Sequence, residues 1–143
     1  MIHKKSDPMQ ISTTLQQMTL QEIVLAVLLQ KNGTAYFRRE ALERGFKHVA
    51  AQHRPLQGLF STQMDPATKK QVIALHRILA FLDRFQIVKD TGDSEHMFLT
   101  KTGKQYAEST LKENHGNDIL EKVSPLSQSV WAYVDTYTRM MEF

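Results

Sequence analysis

The chain contains no cysteine. That excludes a disulfide scaffold, thiolate zinc sites and a cysteine nucleophile, and it favours a reducing compartment. It also lacks any apolar run near the roughly 20 residues needed to span a bilayer. The longest run, from Ile23 to Leu29, is followed at once by Gln30, Lys31 and Asn32. Residues 1–10 carry Lys4 and Lys5 with no apolar segment behind them, so no secretory signal and a cytoplasmic location are expected. Catalytic signatures are missing too. Gly103-Lys104 is followed by Gln105, and no glycine stands five residues before Gly103, so this is not a phosphate-binding loop. No Gly-x-Ser-x-Gly occurs. The six histidines (His3, His48, His53, His76, His96, His115) include no i, i+4 pair and no His-Glu-x-x-His. No metal and no other cofactor is therefore expected. Asp and Glu are scattered without a recognisable acid–base pair, so the expectation is a binding protein and not an enzyme.

What is present suits one small domain. A chain of 143 residues buries enough surface to hold a core without staples. The apolar share of 41% and charged share of 23% are those of an ordinary globular protein. The net charge of +3 says little, but its distribution says more. Residues 34–104 hold twelve Lys/Arg against seven Asp/Glu, and the remainder holds six against eight. A nucleic-acid footprint, if the chain has one, lies in that central block.

Residues 1–18 are polar, with Asp7-Pro8 and Ser12-Thr13-Thr14, and read as a flexible N-terminal arm. Thr19 with Glu22 three residues on reads as a capping box opening a helix from 20 to 31, stopped by Asn32-Gly33. A shorter helix is expected over 35–44, closed by Gly45. Residues 46–64 give no clear reading, since Pro55 and Gly58 interrupt them. Asp65-Pro66 reads as the N-cap and first residue of a helix running to Phe85. Its core face holds Val72, Leu75, Leu79 and Leu82, widened by Ile73, Ile78 and Phe81. Lys70, Arg77 and Arg84 share the opposite face. Gln86 to Lys89, a turn around Gly92, and His96 to Thr100 read as a hairpin. Thr100 or Thr102 then caps a helix ending near 114–116, and a last helical section is broken at Ser124-Pro125. There Leu126, Val130, Val134, Tyr137 and Met141 recur at helical spacing.

The order helix, strand, glycine turn, strand, helix over 69–108 carries a resemblance. Residues 75–88 are similar to the third helix and first wing strand of winged-helix proteins. Phe98-Leu99-Thr100-Lys101-Thr102-Gly103-Lys104 looks like their second wing strand and the start of the next helix. Regulators of the MarR and PadR type carry this pattern, as does the dimerisation domain of small-molecule O-methyltransferases. The resemblance implies a mainly α fold with a small β-hairpin, a winged helix-turn-helix with an additional C-terminal helix. It divides the chain into the arm (1–18), a winged-helix domain (19–116) and a C-terminal helical dimerisation segment (117–143).

It also implies function. In such a fold the third helix enters the major groove, so double-stranded DNA is the expected partner. Lys69, Lys70, Arg77 and Arg84 would face the groove, and Arg38, Arg39, Lys101 and Lys104 would reach phosphates. The same cations also suit ordinary solvated helix faces. Asp90, Asp93 and Glu95 make an acidic wing tip that phosphates would repel. A homodimer is expected through Val130, Trp131, Val134, Tyr137 and Met141, which could equally pack on their own domain. Two functions stay open: a dimeric DNA-binding transcriptional regulator, and an interaction or dimerisation module that does not bind DNA. The O-methyltransferase likeness carries no nucleotide-binding domain with it.

Overall fold

The computed structural model describes residues 8–31, 36–93 and 95–141. The protein is mainly helical with a small antiparallel sheet. Helices α1 (Pro8–Gln16) and α2 (Leu20–Leu29) lead to strand β1 (Tyr36–Arg38) and helix α3 (Arg39–Ala50). A 3-10 turn (Arg54–Phe60) and the strands β2 (Thr62–Met64) and β3 (Gln71–Ile73) follow. Then come α4 (Ala74–Arg84), β4 (Val88–Asp90), β5 (His96–Leu99), α5 (Lys101–His115) and α6 (Ile119–Met141). The main sheet has the order β1-β5-β4, and β2 and β3 form a separate two-stranded sheet.

The core is built around α2. Ile23 to Leu28 are six consecutive buried residues. A helix apolar on every side must be enclosed, and α5, α6 and the 3-10 turn pack against this one. Both its ends are closed by hydrogen bonds. At the start, Glu22 N–H donates to Thr19 Oγ1 at 3.1 Å and Thr19 N–H donates to Glu22 Oε1 at 2.9 Å. This is the expected capping box. At the far end, Trp131 Nε1–H donates to the Val27 carbonyl at 2.8 Å. The expected stop at Asn32-Gly33 lies outside the described residues.

Helix α3 starts and ends later than expected, at Arg39–Ala50 and not over 35–44. Tyr36 to Arg38 are taken by strand pairing with β5. Gly45 does not end the helix. It lies buried where α3 crosses α6, and a Cβ there would stand 3.0 Å from the Val130 carbonyl and from Val134 Cγ2.

The helix expected from Pro66 begins at Ala74 instead. Asp65 does cap a turn, accepting from Ala67 N–H and Thr68 Oγ1–H at 3.1 Å each. Lys69 then takes a left-handed φ of 62°, which reverses the chain. Val72 and Ile73, β-branched and suited to strands, pair with Gln63 and Thr62. Lys70 is therefore not on α4. At its other end α4 closes at Gln86 (φ 60°), with Ile87 N–H donating to Leu82 O and Gln86 N–H to Asp83 O. This is a Schellman closure with a non-glycine residue in the left-handed position.

Two expectations about the chain ends are corrected. Residues 8–18 are not a flexible arm: α1 packs on α6 and the 3-10 turn, with Ile11, Leu15 and Met18 buried. Residues 1–7 lie outside the described residues. The C-terminal segment is neither broken nor a separate layer. Helix α6 runs through Pro125. That proline withholds an N–H from the helix, a cost of about 3 kcal/mol in a helix interior, which the burial of Val123, Leu126 and Val130 around it offsets.

Two consequences are measurable. Of the two residues expected to cap α5, Thr100 and not Thr102 does so, donating its hydroxyl to Gln86 O at 2.7 Å and accepting from Gly103 N–H at 2.8 Å. This brings Gly103 so close to β4 that a Cβ would stand 2.1 Å from Ile87 O. Gly103→Ala should therefore lower unfolding stability by about 1–3 kcal/mol or more, read from urea denaturation. Second, burial alone would raise the Glu22 pKa, but bonds from Thr19 N–H, Asn114 and His115, with the His115 charge, hold it below 4.5. A depressed carboxylate contributes stability above its unfolded pKa and loses it as the pH falls through the folded one. The melting temperature should drop on acidification below about 4.5, and less so in Glu22→Gln.

Candidate nucleic-acid interface

Helix α4 is covered on one side only. Leu75, Leu79 and Leu82 are buried, whereas His76, Arg77, Ala80, Phe81, Asp83 and Arg84 are exposed. Arg77 and Arg84, seven residues apart, share a face and stand about 10 Å apart along the helix axis. The β2–β3 hairpin leads into the N-terminal end of this face. Ala74 N–H donates to Ser61 O at 3.0 Å, and Arg77 Nη1 donates to Gln63 Oε1 at 2.8 Å. Lys69 and Lys70, both exposed, lie in the turn that closes the hairpin.

The other predicted cations divide. Arg39, at the start of α3, lines a shallow hollow of about 140 Å³ with His76, Leu79, Ala80 and Asp83 of α4. His76 Nε2–H donates to Glu43 Oε1 at 2.5 Å, tying α4 to α3 behind that hollow. Arg38 is drawn away, 3.9 Å from Glu95, and lines a groove against α6 instead. Lys101 and Lys104 are exposed on the first turns of α5, which Thr100 ties to Gln86 just past the end of α4. The structure thus brings Arg39, Lys69, Lys70, Arg77 and Arg84 to α4 and its hairpin, with Lys101 and Lys104 beyond its C-terminal end.

Electrostatically the face is unneutralised. Among the described residues no carboxylate comes within 4.0 Å of the charged groups of Lys69, Lys70, Arg77 or Arg84. The tip of the β4–β5 hairpin differs. Asp93 Oδ1 accepts from Glu95 N–H and His96 N–H at 2.9 Å each and from the Thr91 hydroxyl, while Oδ2 accepts from His96 Nδ1 at 2.7 Å. The backbone bond from His96, its ring bond and the Glu95 N–H hold the Asp93 carboxyl far below the usual carboxylate range. Asp93, Glu95 and His96 bring three potential ligand atoms within 4.8 Å of one another. Asp93's oxygens are occupied in shaping the turn.

Sequence reasoning missed two features of this surface. Phe81, expected in the core, is 43% exposed, and Phe85 is 58% exposed, their ring centroids 4.6 Å apart. Helical spacing alone put Phe81 at the margin of the apolar face, and the width of the covered side decided its fate. The hairpin was missed because Asp-Pro opens helices and turns alike.

The expected dimer seam is also corrected. Val130, Trp131 and Val134 are 0%, 6% and 3% exposed within the single chain. Trp131 packs edge-on to Phe37 at 5.6 Å. Tyr137 donates its hydroxyl to Glu40 at 2.9 Å and lies under the Arg44 guanidinium. The stripe is spent on α3 and α2, the stronger apolar faces nearby. Of the five residues only Met141 is exposed, beside Met140. No helix among the described residues is long and apolar enough to cross a membrane.

The chain matches no protein-family model, no curated protein and no solved structure. Its own geometry therefore carries the functional argument. At the tip of the β4–β5 hairpin, Asp93→Ala should speed amide hydrogen exchange at Glu95 and His96, whose N–H groups lose their acceptor, while the core amides of α2 keep their protection.

Proposed function

We propose that the protein is a winged-helix DNA-binding regulator that meets double-stranded DNA with α4 and the β2–β3 hairpin. The order α2, β1, α3, α4, β4, β5 with sheet order β1-β5-β4 supports the winged-helix reading. It is the arrangement in which a half-covered helix precedes the wing hairpin. The observation that carries the DNA reading is the unneutralised row Lys69, Lys70, Arg77 and Arg84. Phosphates are the counter-charge such a row suits, and Arg39, Lys101 and Lys104 extend it at either end. The acidic wing tip stays clear of the backbone in this reading, so α4 and the hairpin make the contact. The reading is of binding and not catalysis, and it needs no dimer seam on α6.

A second reading has one observation in its favour. Phe81 and Phe85 form an exposed apolar pair at the C-terminal end of α4, next to Arg84, and aromatic groups with arginine suit a protein partner. In that case the chain is an interaction module that does not bind DNA.

The deciding experiment is fluorescence anisotropy with mixed-sequence duplex DNA across a salt series. With four cations on phosphates, log K should fall with log salt at a slope of about 3–4. The Lys70→Glu/Arg77→Glu double variant should lose binding while keeping its melting temperature. Absence of binding at low salt by folded protein overturns the DNA reading and favours the protein partner.

A further inference from the structure

A row of cations on α4 leaves its two exposed phenylalanines without a use. Phe81 is 43% exposed and Phe85 58%, their ring centroids 4.6 Å apart and their planes inclined at 46°. Four residues apart on one helix, they share a flank. Side by side in water, the two rings forgo the burial that apolar side chains of their size gain elsewhere in the chain.

The groups around the rings are cationic. Arg77 stands four residues before Phe81 and Arg84 three after it, so both border the pair along the helix. Phe85 leads into Gln86, whose carbonyl accepts from the Thr100 hydroxyl at 2.7 Å. The first turns of α5, with exposed Lys101 and Lys104, therefore begin close by. The carboxylates of this region are placed elsewhere. Asp83 lines the hollow with Arg39 on the flank toward α3, and at two residues from Phe81 it points about 160° away around the helix. Glu43 is tied to His76 on that same flank. Asp65 is engaged by Ala67 N–H and the Thr68 hydroxyl. Among the described residues no carboxylate, Glu108 of α5 included, comes within 4.0 Å of the charged groups of Arg77, Arg84, Lys101 or Lys104.

Rings and cations together choose the ligand. A protein interface sets its aromatic groups in a core depleted of charge, whereas the other outward residues of α4 are His76, Arg77, Ala80, Asp83 and Arg84. Duplex DNA satisfies the cations but keeps the faces of its bases inside the stack, so the rings stay in water. A single strand offers phosphates to the cations and open base faces to the rings, the pairing that strand-binding surfaces use. We propose that the C-terminal end of α4 binds single-stranded nucleic acid. Unpaired bases stack on Phe81 and Phe85, and Arg77, Arg84, Lys101 and Lys104 hold the flanking phosphates. The inference takes its place on the molecule from the nucleic-acid surface proposed above and adds the form of nucleic acid held most tightly there, a strand with free bases.

The test is fluorescence anisotropy of the full chain with a labelled oligothymidylate of about twelve nucleotides, an abasic strand of that length and a mixed-sequence duplex of that length. The oligothymidylate should bind about ten-fold or more tighter than the abasic strand, which keeps the phosphates and lacks the bases, and tighter than the duplex. Phe85→Ala should weaken the oligothymidylate about ten-fold and leave the abasic strand and the duplex unchanged. Phe81→Ala should do the same. Phe85 is the more exposed of the two, so its variant keeps the test valid if Phe81→Ala unfolds. Equal binding of the abasic strand, unchanged affinity in Phe85→Ala, or a duplex bound as tightly as the oligothymidylate overturns the proposal. So does an equal loss of duplex and strand affinity in Phe85→Ala, since the rings then act as a wedge in the duplex. Strand binding by protein that ignores the duplex supports the proposal and overturns only the duplex reading; duplex binding without strand binding does the reverse. Binding of neither by folded protein overturns both and leaves the rings to a protein partner.

Discussion

A helix with no polar side cannot rest on the surface of anything. Residues Ile23 to Leu28 of α2 place apolar side chains around the whole helix, and the fold is arranged to keep water from all of them. Each of the larger side chains contributes about 1.5–3 kcal/mol when buried. The backbone at the two ends must then be satisfied inside the protein. Glu22 does this at the start, and its second oxygen also accepts from Asn114 of α5 at 3.0 Å. Trp131 of α6 does it at the other end. The two helices that enclose α2 are thus the two that complete its hydrogen bonding.

The packing of α3 follows from the same arrangement. Once α6 lies on α2, its remaining apolar stripe faces α3, and Gly45 lets the two backbones approach. Tyr137, Glu40 and Arg44 finish that contact at the solvent edge with a hydrogen bond and a ring–cation contact. The stripe that could have served a second subunit is consumed within the chain. Helix α4, reached only after the hairpin, covers the remaining flank of the core and has no further layer above it. Its outer side is left to solvent, with cations and two phenylalanine rings on it.

The α4 face and the groove by α6 differ in physical character. The α4 face is open, and among the described residues no carboxylate lies within 4.0 Å of the charged groups of Lys69, Lys70, Arg77 or Arg84. The groove by α6 is concave, narrower and partly apolar, and Arg38 there is already half-buried. Arg38 and Arg39 are neighbours in sequence yet serve opposite surfaces, because the strand ends and the helix begins between them.

Much of this was legible in the residues themselves. Local signals with a single physical solution were read correctly: the Thr19–Glu22 capping box and the turn around Gly92. So was the mainly helical composition with a small hairpin. Ambiguous local signals were not. The cap of α5 stayed open between Thr100 and Thr102, and the strand expected over Gln86 to Lys89 is Val88–Asp90, because Gln86 takes a left-handed φ that closes α4. Asp65-Pro66 begins a turn of helical shape whether or not a helix follows, and the pairing of Val72 and Ile73 with Thr62 and Gln63 decided against one. Pro125 weakens a helix, but core contacts on both sides of it carried α6 through. An apolar stripe such as Val130, Val134 and Tyr137 states only that something covers it. Sequence determines which side chains must leave water. Which partner receives them is settled by the competition among all the apolar faces of the chain, and that competition exists only in three dimensions.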